Sequence, residues 1–243
     1  MSCRVRCSRL IFHVSATVGP GRLLRNVPAI AMAGQSNISN GTDHSIMLKP
    51  SNREKLLTEG LRVVQELGFS GASVRDITRA ANVSLGSFTS HFSSKEAFCI
   101  EILEIYFERL NELIAETLRN DALAPLLRIA VYFDRNESVI DANGIQSGCL
   151  IGNFSADSTE HSAAIRSRLI EMFGYIQESL KYCLDAAVAV GELAPVEDTD
   201  ELAAYLFSSF QGAILRAKVE HSVGPMRRFK NVVFSRLLVK KAA

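Results

Sequence analysis

Thiols, imidazoles and a cluster of hydroxyls are the groups in this 243-residue chain that could do chemistry. Cys149 stands in the stretch QSGCLIGNF, flanked by glycines and read as the opening of a short helix. Backbone N–H groups at a helix start favour a thiolate, so the position suits a reactive cysteine. The competing reading is a small buried hydrophobe, since free cysteine is among the most buried residue types. Cys99 and Cys183 fall on apolar helix faces and are expected to be inert core. With Cys3 and Cys7 the cysteines are odd in number and widely spaced, which fits a reducing compartment, hence the cytoplasm, better than a disulfide framework.

The histidines are scattered, and neither CxxC nor HExxH occurs, so a metal site is not expected. GxGxxG and GxxxxGK[ST] are also absent, and no cofactor is expected. An all-α enzyme would need convergent acid, base or nucleophile groups. The best such cluster, Asp157, Glu160 and His161, reads as the solvated start of a helix, so the expectation is no enzyme.

The hydroxyls Ser84, Ser87, Thr89 and Ser90 crowd one short segment, and the elements around them explain why. Leu57, Leu61, Val64 and Leu67 recur at helical spacing, with Gly68 as a stop. Ser73 with Asp76 makes a capping box that opens a short helix carrying Val74 and Ile77 inward. Asn82-Val83 is a tight break, and Ser84 caps the next short helix, with Phe88 and Phe92 toward the core. Ser93 with Glu96 reads as a second capping box, opening a long helix through Phe98, Ile102, Ile105 and Leu113. Further helical runs cover 122–140, 162–190, 199–220 and 226–239, with Gly224-Pro225 separating the last two. Nothing alternates with period two for long, so the fold class is all-α.

Two short helices over 73–81 and 84–92, joined by Asn82-Val83, have helix-turn-helix dimensions. The segment SVRDITRAANVSLGSFTSHFSSKEAF resembles the TetR family of transcriptional regulators, densely over residues 50–105. Matching elements are Gly68, Ser73, Ile77, Ala80, Ala81, Val83, Gly86, Phe88, His91, Phe92, Lys95 and Glu96. The resemblance implies a three-helix DNA-binding head and a long helix leading into a helical ligand-binding and dimerisation domain. It implies double-stranded operator DNA as partner. Ser84, Leu85, Ser87, Thr89 and Ser90 would face the major groove, and Ser73, His91 and Lys95 would lie on phosphates. Leu85 and the Thr89 methyl suit thymine methyl groups. Two positions depart from the family pattern, which often has Lys where Leu85 stands and Tyr where Thr89 stands.

The net charge of +1 hides an asymmetry between a basic front and an acidic back. Residues 1–95 carry 12 basic and 5 acidic side chains, residues 96–243 carry 15 and 21. Much of the front's excess comes from residues 1–48, whose first 42 residues hold five Arg and no acid. That segment reads as a disordered extension, a transit peptide, or an upstream start wrongly assigned ahead of Met32 or Met47. The domains expected are thus 1–48 as extension, 49–105 as the helix-turn-helix head (motif at 73–92) and 106–243 as the effector and dimer domain.

One helix-turn-helix grips few phosphates, so a homodimer on two half-sites is expected. Its surface is read on the last two helices, where Leu202, Tyr205, Leu206, Ser209, Phe210 and Ala213 form an apolar stripe. No stretch suits a membrane span: Leu202–Leu215 is too short and holds Ser208, Ser209 and Gln211. GCLIGN followed by QGAILRAK resembles the TetR subgroup that includes repressors of N-ethylmaleimide-reductase genes. There the resemblance implies an electrophile-sensing cysteine at Cys149 with Lys218 beside it, an ammonium that would favour thiolate. The function expected is a repressor released from its operator by a small molecule or a thiol-reactive electrophile. The alternatives are a helical protein-interaction module with a degenerate head, or an all-α enzyme.

Overall fold

A computed structural model describes residues 50–157 and 162–239. Cys3, Cys7, Met32, Met47, Glu160 and His161, and the expected extension at 1–48, lie outside the described residues. Among the described residues every regular element is helical, as the period-3.6 patterning requires. None of these helices is long and apolar enough to cross a membrane.

The head is built on α1 (Asn52–Gly71), α2 (Val74–Ala80) and α3 (Leu85–His91). Ser51 and Glu54 cap α1 reciprocally, and Ser73 and Asp76 do the same for α2. Each pair satisfies backbone donors that a helix start leaves open. These hydrogen bonds hold both carboxyls below the usual carboxylate range. Gly68 breaks α1 with φ of +76°, a left-handed conformation suited to glycine. The link between α2 and α3 turns on Asn82, whose φ is +51°.

Inside the head, Phe88, Phe92 and Phe98 form a triangle of rings with centroids 4.9–5.3 Å apart. Gly60 makes room for it, since a Cβ there would sit 2.3 Å from Phe98 Cζ.

The long α4 (Lys95–Glu116) leaves the head and enters the body. Its cap is Ser94, which accepts from Ala97 N, not the expected Ser93. Glu96 takes a hydrogen bond from Ser162 Oγ instead, tying the starts of α4 and α7 together.

The body follows with α5 (Pro125–Ala142), a 3-10 turn (Ile145–Ser147), α6 (Leu150–Asp157), α7 (Ala163–Ala189) and α8 (Thr199–Glu220). α9 (Gly224–Val232) and a wide π-type turn (Val233–Leu237) close the described chain. α7 and α8 run antiparallel, with Phe173 on Phe207 and Gln177 bonded to Asp200. Phe133, Phe210 and Phe229 join α5, α8 and α9 at centroid distances of 4.6–5.3 Å. Burial alone would raise the Glu137 carboxyl, but Lys230 and Arg227 hold it lowered, clamping α9 to α5.

Gly224-Pro225 does not separate the last helices; it begins α9. Proline is tolerated in a first turn, where its missing N–H has no helical partner. The break lies at His221, whose left-handed backbone (φ +49°, ψ +39°) ends α8.

Candidate nucleic-acid interface and effector site

The outer face of α3 is exposed and carries no internal burden. Phe88 turns inward, while Leu85 is 50% exposed and Gly86, Thr89, Ser90 and His91 all face solvent. A Cβ on Gly86 would meet nothing nearer than Ser84 Oγ at 3.9 Å, so the fold itself does not demand glycine there. Ser84 caps α3 through the Ser87 N–H at 3.2 Å, which confirms its place at the helix start, and Ser87 itself is half-buried. Thr89 Oγ1 donates to Gly86 O at 3.1 Å and Ser90 Oγ to Ser87 O at 2.8 Å. Both hydroxyls thus spend their proton inside the helix and keep lone pairs outward. Ser73 sits at the start of α2, exposed, with its hydroxyl on Asp76 Oδ2 at 2.5 Å.

Lys95 is placed differently from the rest. Its ammonium donates to Phe69 O at 2.6 Å and Ala72 O at 3.0 Å and lies 4.5 Å from the Phe69 ring. Two of its three N–H donors therefore serve the carbonyl end of α1.

Cys149 immediately precedes α6, as the glycine-flanked motif suggested, and its residue exposure is only 9%. Gly148 before it has φ +62° and ψ −152°, a backbone region that is essentially glycine's alone. Gly152 lets α8 come close, since a Cβ there would lie 3.2 Å from Gln211 Oε1. The thiol meets Tyr106 Oη on α4 and Gln211 Nε2 on α8, each at 3.6 Å. Burial first, and then the neighbouring thiol, push the Tyr106 phenol well up; Tyr132 is raised in the same way. The Tyr106 phenol stays neutral, with its hydroxyl in contact with the sulfur.

Lys218 reaches the same segment one turn on, where its Nζ donates to Asn153 Oδ1 at 3.3 Å. Asn153 in turn donates to Gln65 O in α1 at 3.1 Å, and Gln65 Nε2 donates to Gly148 O at 3.3 Å. Asp157 at the end of α6 accepts from Ser70 N beside the Gly68 break. The cysteine segment is therefore hydrogen-bonded directly to the first helix of the head. Tyr106, Gln211, Gln65 and Asn153 were not singled out from sequence, because their partners lie 43 to 88 positions away. Cys99 and Cys183 are fully buried, and burial pushes each thiol up to about 12.

The apolar stripe expected for dimerisation is mostly intrachain core: Leu206, Phe210 and Ala213 are buried, and only Tyr205 of that set is exposed. The open face of α8 is rotated from it and holds Tyr205, Ser208, Gly212, Leu215 and Val219. Beside it on α7 lie Ser167, Ile170 and Gly174, also open. Both glycines have free space where a Cβ would stand, and Leu215 and Val219 are 64% and 74% exposed.

Comparison with known proteins agrees with this architecture. Residues 56–102 match the model of bacterial regulatory proteins of the tetR family, and residues 125–233 match the tetracyclin repressor-like C-terminal domain. The chain is 37% identical over 192 residues to the repressor DhaR of Mycobacterium sp. (strain GP1), covering 79% of this chain and 95% of that protein. It is 27% identical to the repressor NemR of Escherichia coli K12 over 185 residues, 74% of this chain and 93% of NemR. Among solved structures, a TetR regulatory protein from Rhodobacter sphaeroides superposes with a TM-score of 0.72 at 31% identity, covering 77% of this chain and 99% of that one.

Proposed function

This chain belongs to the TetR family of bacterial regulatory proteins, and from that premise we propose that it is a homodimeric transcriptional repressor of operator DNA. The observation that carries the reading is α3: a short, capped helix whose outer face is exposed, slim and not needed for packing. Ser84, Leu85, Ser87, Thr89 and Ser90 are assigned to the major groove, and Ser73 and His91 to phosphates. Lys95 has one N–H left for a phosphate after seating the end of α1. The direct test is a mobility shift of the DNA upstream of the gene. Specific retention that weakens with salt supports the reading, and failure to enrich any sequence from a random duplex library refutes it.

Dimerisation is assigned to the shared open face of α7 and α8. Gly174 and Gly212 let partner helices approach closely, and Ile170, Leu215 and Val219 supply apolar area. Gly212→Glu then yields a monomer in sedimentation and loses operator binding; a dimer that persists places the interface elsewhere.

Cys149 is assigned as the effector-responsive group, with Lys218 supporting its segment. The thiol sits where α4, α6 and α8 meet, 3.6 Å from both Tyr106 Oη and Gln211 Nε2. Alkylation by an electrophile adds volume at that junction and forces the helices apart. α4 carries the head, so the adduct favours a different head separation and releases the DNA. Such a switch works only through the difference in affinity between the two states. Retained electrophile response in Cys149→Ser overturns this assignment. Relatives named as transcriptional repressors support a regulator over an enzyme, and a cytoplasmic location follows from the same reading.

A further inference from the structure

The base-facing surface of α3 has an unusual chemical inventory. Residues 84–90 (Ser-Leu-Gly-Ser-Phe-Thr-Ser) contain no Arg, Lys, Asn, Gln, Asp or Glu. The side chains that give bidentate contacts to guanine or adenine edges are therefore missing from this helix. What it offers outward is the half-exposed Leu85 side chain, the Thr89 methyl and hydroxyl lone pairs. The Thr89 and Ser90 protons are already given to Gly86 O and Ser87 O. Using them as donors to DNA would break those bonds, so these hydroxyls meet bases as acceptors. His91, the only basic side chain within α3, sits at the far end of the helix, away from the leading turn.

From this we infer that the operator half-site is read chiefly through thymine C5-methyl groups, packed against Leu85 and the Thr89 methyl. In the major groove, that methyl is the only apolar feature a base pair presents. Leu85, exposed in the free protein, gains a dry partner only there. Exocyclic amines of adenine or cytosine supply the donors that the Thr89 and Ser90 lone pairs can take. The inference rests on the DNA-binding reading above.

The test uses the full-length protein and a duplex it selects from a random-sequence library. Each thymine of the half-sites is then replaced by deoxyuridine, which removes the methyl and keeps base pairing and phosphates. Affinity is expected to fall about fourfold per contacted methyl, and about sixteenfold when the symmetry-related pair is replaced. In Leu85→Ala the loss at one such position should disappear, with the salt dependence unchanged. Replacing guanines by 7-deazaguanine should have little effect. Uridine substitution that is neutral throughout overturns the inference, and so does a uridine effect untouched by both Leu85→Ala and Thr89→Ser. A 7-deazaguanine loss exceeding the uridine loss moves the readout to donors and overturns it as well. If no duplex is selected at all, the DNA-binding reading itself fails, which distinguishes the two failures.

Discussion

Replacing Gly86 with alanine puts one methyl group on the outer face of α3 and nothing else. Within the free protein that methyl has room, because its nearest neighbour would be Ser84 Oγ at 3.9 Å. Glycine inside a helix costs about 0.5–1 kcal/mol relative to alanine, mostly by losing more backbone entropy on folding. Gly86→Ala should therefore stabilise the head by up to about 1 kcal/mol, a rise in Tm of about 2–4 °C in a domain of this size. On DNA the balance reverses if the helix presses its slim face into the groove. Forcing an extra methyl into a packed contact costs roughly 1–3 kcal/mol, or about 5- to 150-fold in affinity. Thermal unfolding by circular dichroism and fluorescence anisotropy on a labelled operator duplex measure the two effects separately. A variant that is more stable and binds equally well would falsify the placement of Gly86 at the DNA surface. One that is less stable would show that the free space at Gly86 has been misjudged.

The remaining predictions concern other parts of the chain. Gly60→Ala drives a Cβ to 2.3 Å from Phe98 Cζ and should destabilise the head by about 1–3 kcal/mol, seen as a lower Tm with weaker DNA binding. Lys95→Met removes two hydrogen bonds to the end of α1 and the N–H assigned to a phosphate, so it should lower Tm and flatten the salt slope of binding by about one. A lower Tm with an unchanged slope would confine Lys95 to seating the end of α1. Cys99 and Cys183 should resist alkylation in the folded protein at pH 8, while Cys149 is labelled before either of them; peptide mapping after a short pulse reads this out. Their thiols titrate near 12 when folded and near 9 when unfolded, so the unfolded chain holds fewer protons between those values. Stability should accordingly fall as pH rises through that window, and fall less in Cys99→Ala or Cys183→Ala.

Helix identity was largely legible because apolar spacing is a local signal. The span 199–220 agrees with α8 residue for residue, and Ser73, Ser84 and Asp198 cap helices as their positions suggest. Errors arose where two local readings were equally good. Ser93 and Ser94 both suit a cap, and only the packing of α4 chooses the second. Gly224-Pro225 is a break signal and also a permitted first turn. The α8 stripe had the right period but is mostly covered within the chain, because that helix is apolar on two sides and its partners decide which is buried. At the site, the exposed outer residues of α3 were readable from the motif. The surroundings of Cys149 were not, since Tyr106, Gln211 and Gln65 arrive from distant helices. Lys95 shows the same limit: its partners Phe69 and Ala72 lie 26 and 23 residues away.

The hydrogen bonds from Gln65 to Gly148 and from Asn153 to Gln65 have a consequence that runs opposite to release. A coupling free energy between two sites has no direction: if a modified cysteine lowers operator affinity by some factor, bound operator disfavours reversible modification by the same factor. Gln65 belongs to the head and Cys149 adjoins the carbonyl it grips, so under the proposed assignment the thiol would be a gauge of occupancy. A repressor seated on its operator should be chemically quieter than the pool free in solution. The unbound molecules would then absorb the first dose of electrophile, and derepression would begin only when that pool is spent.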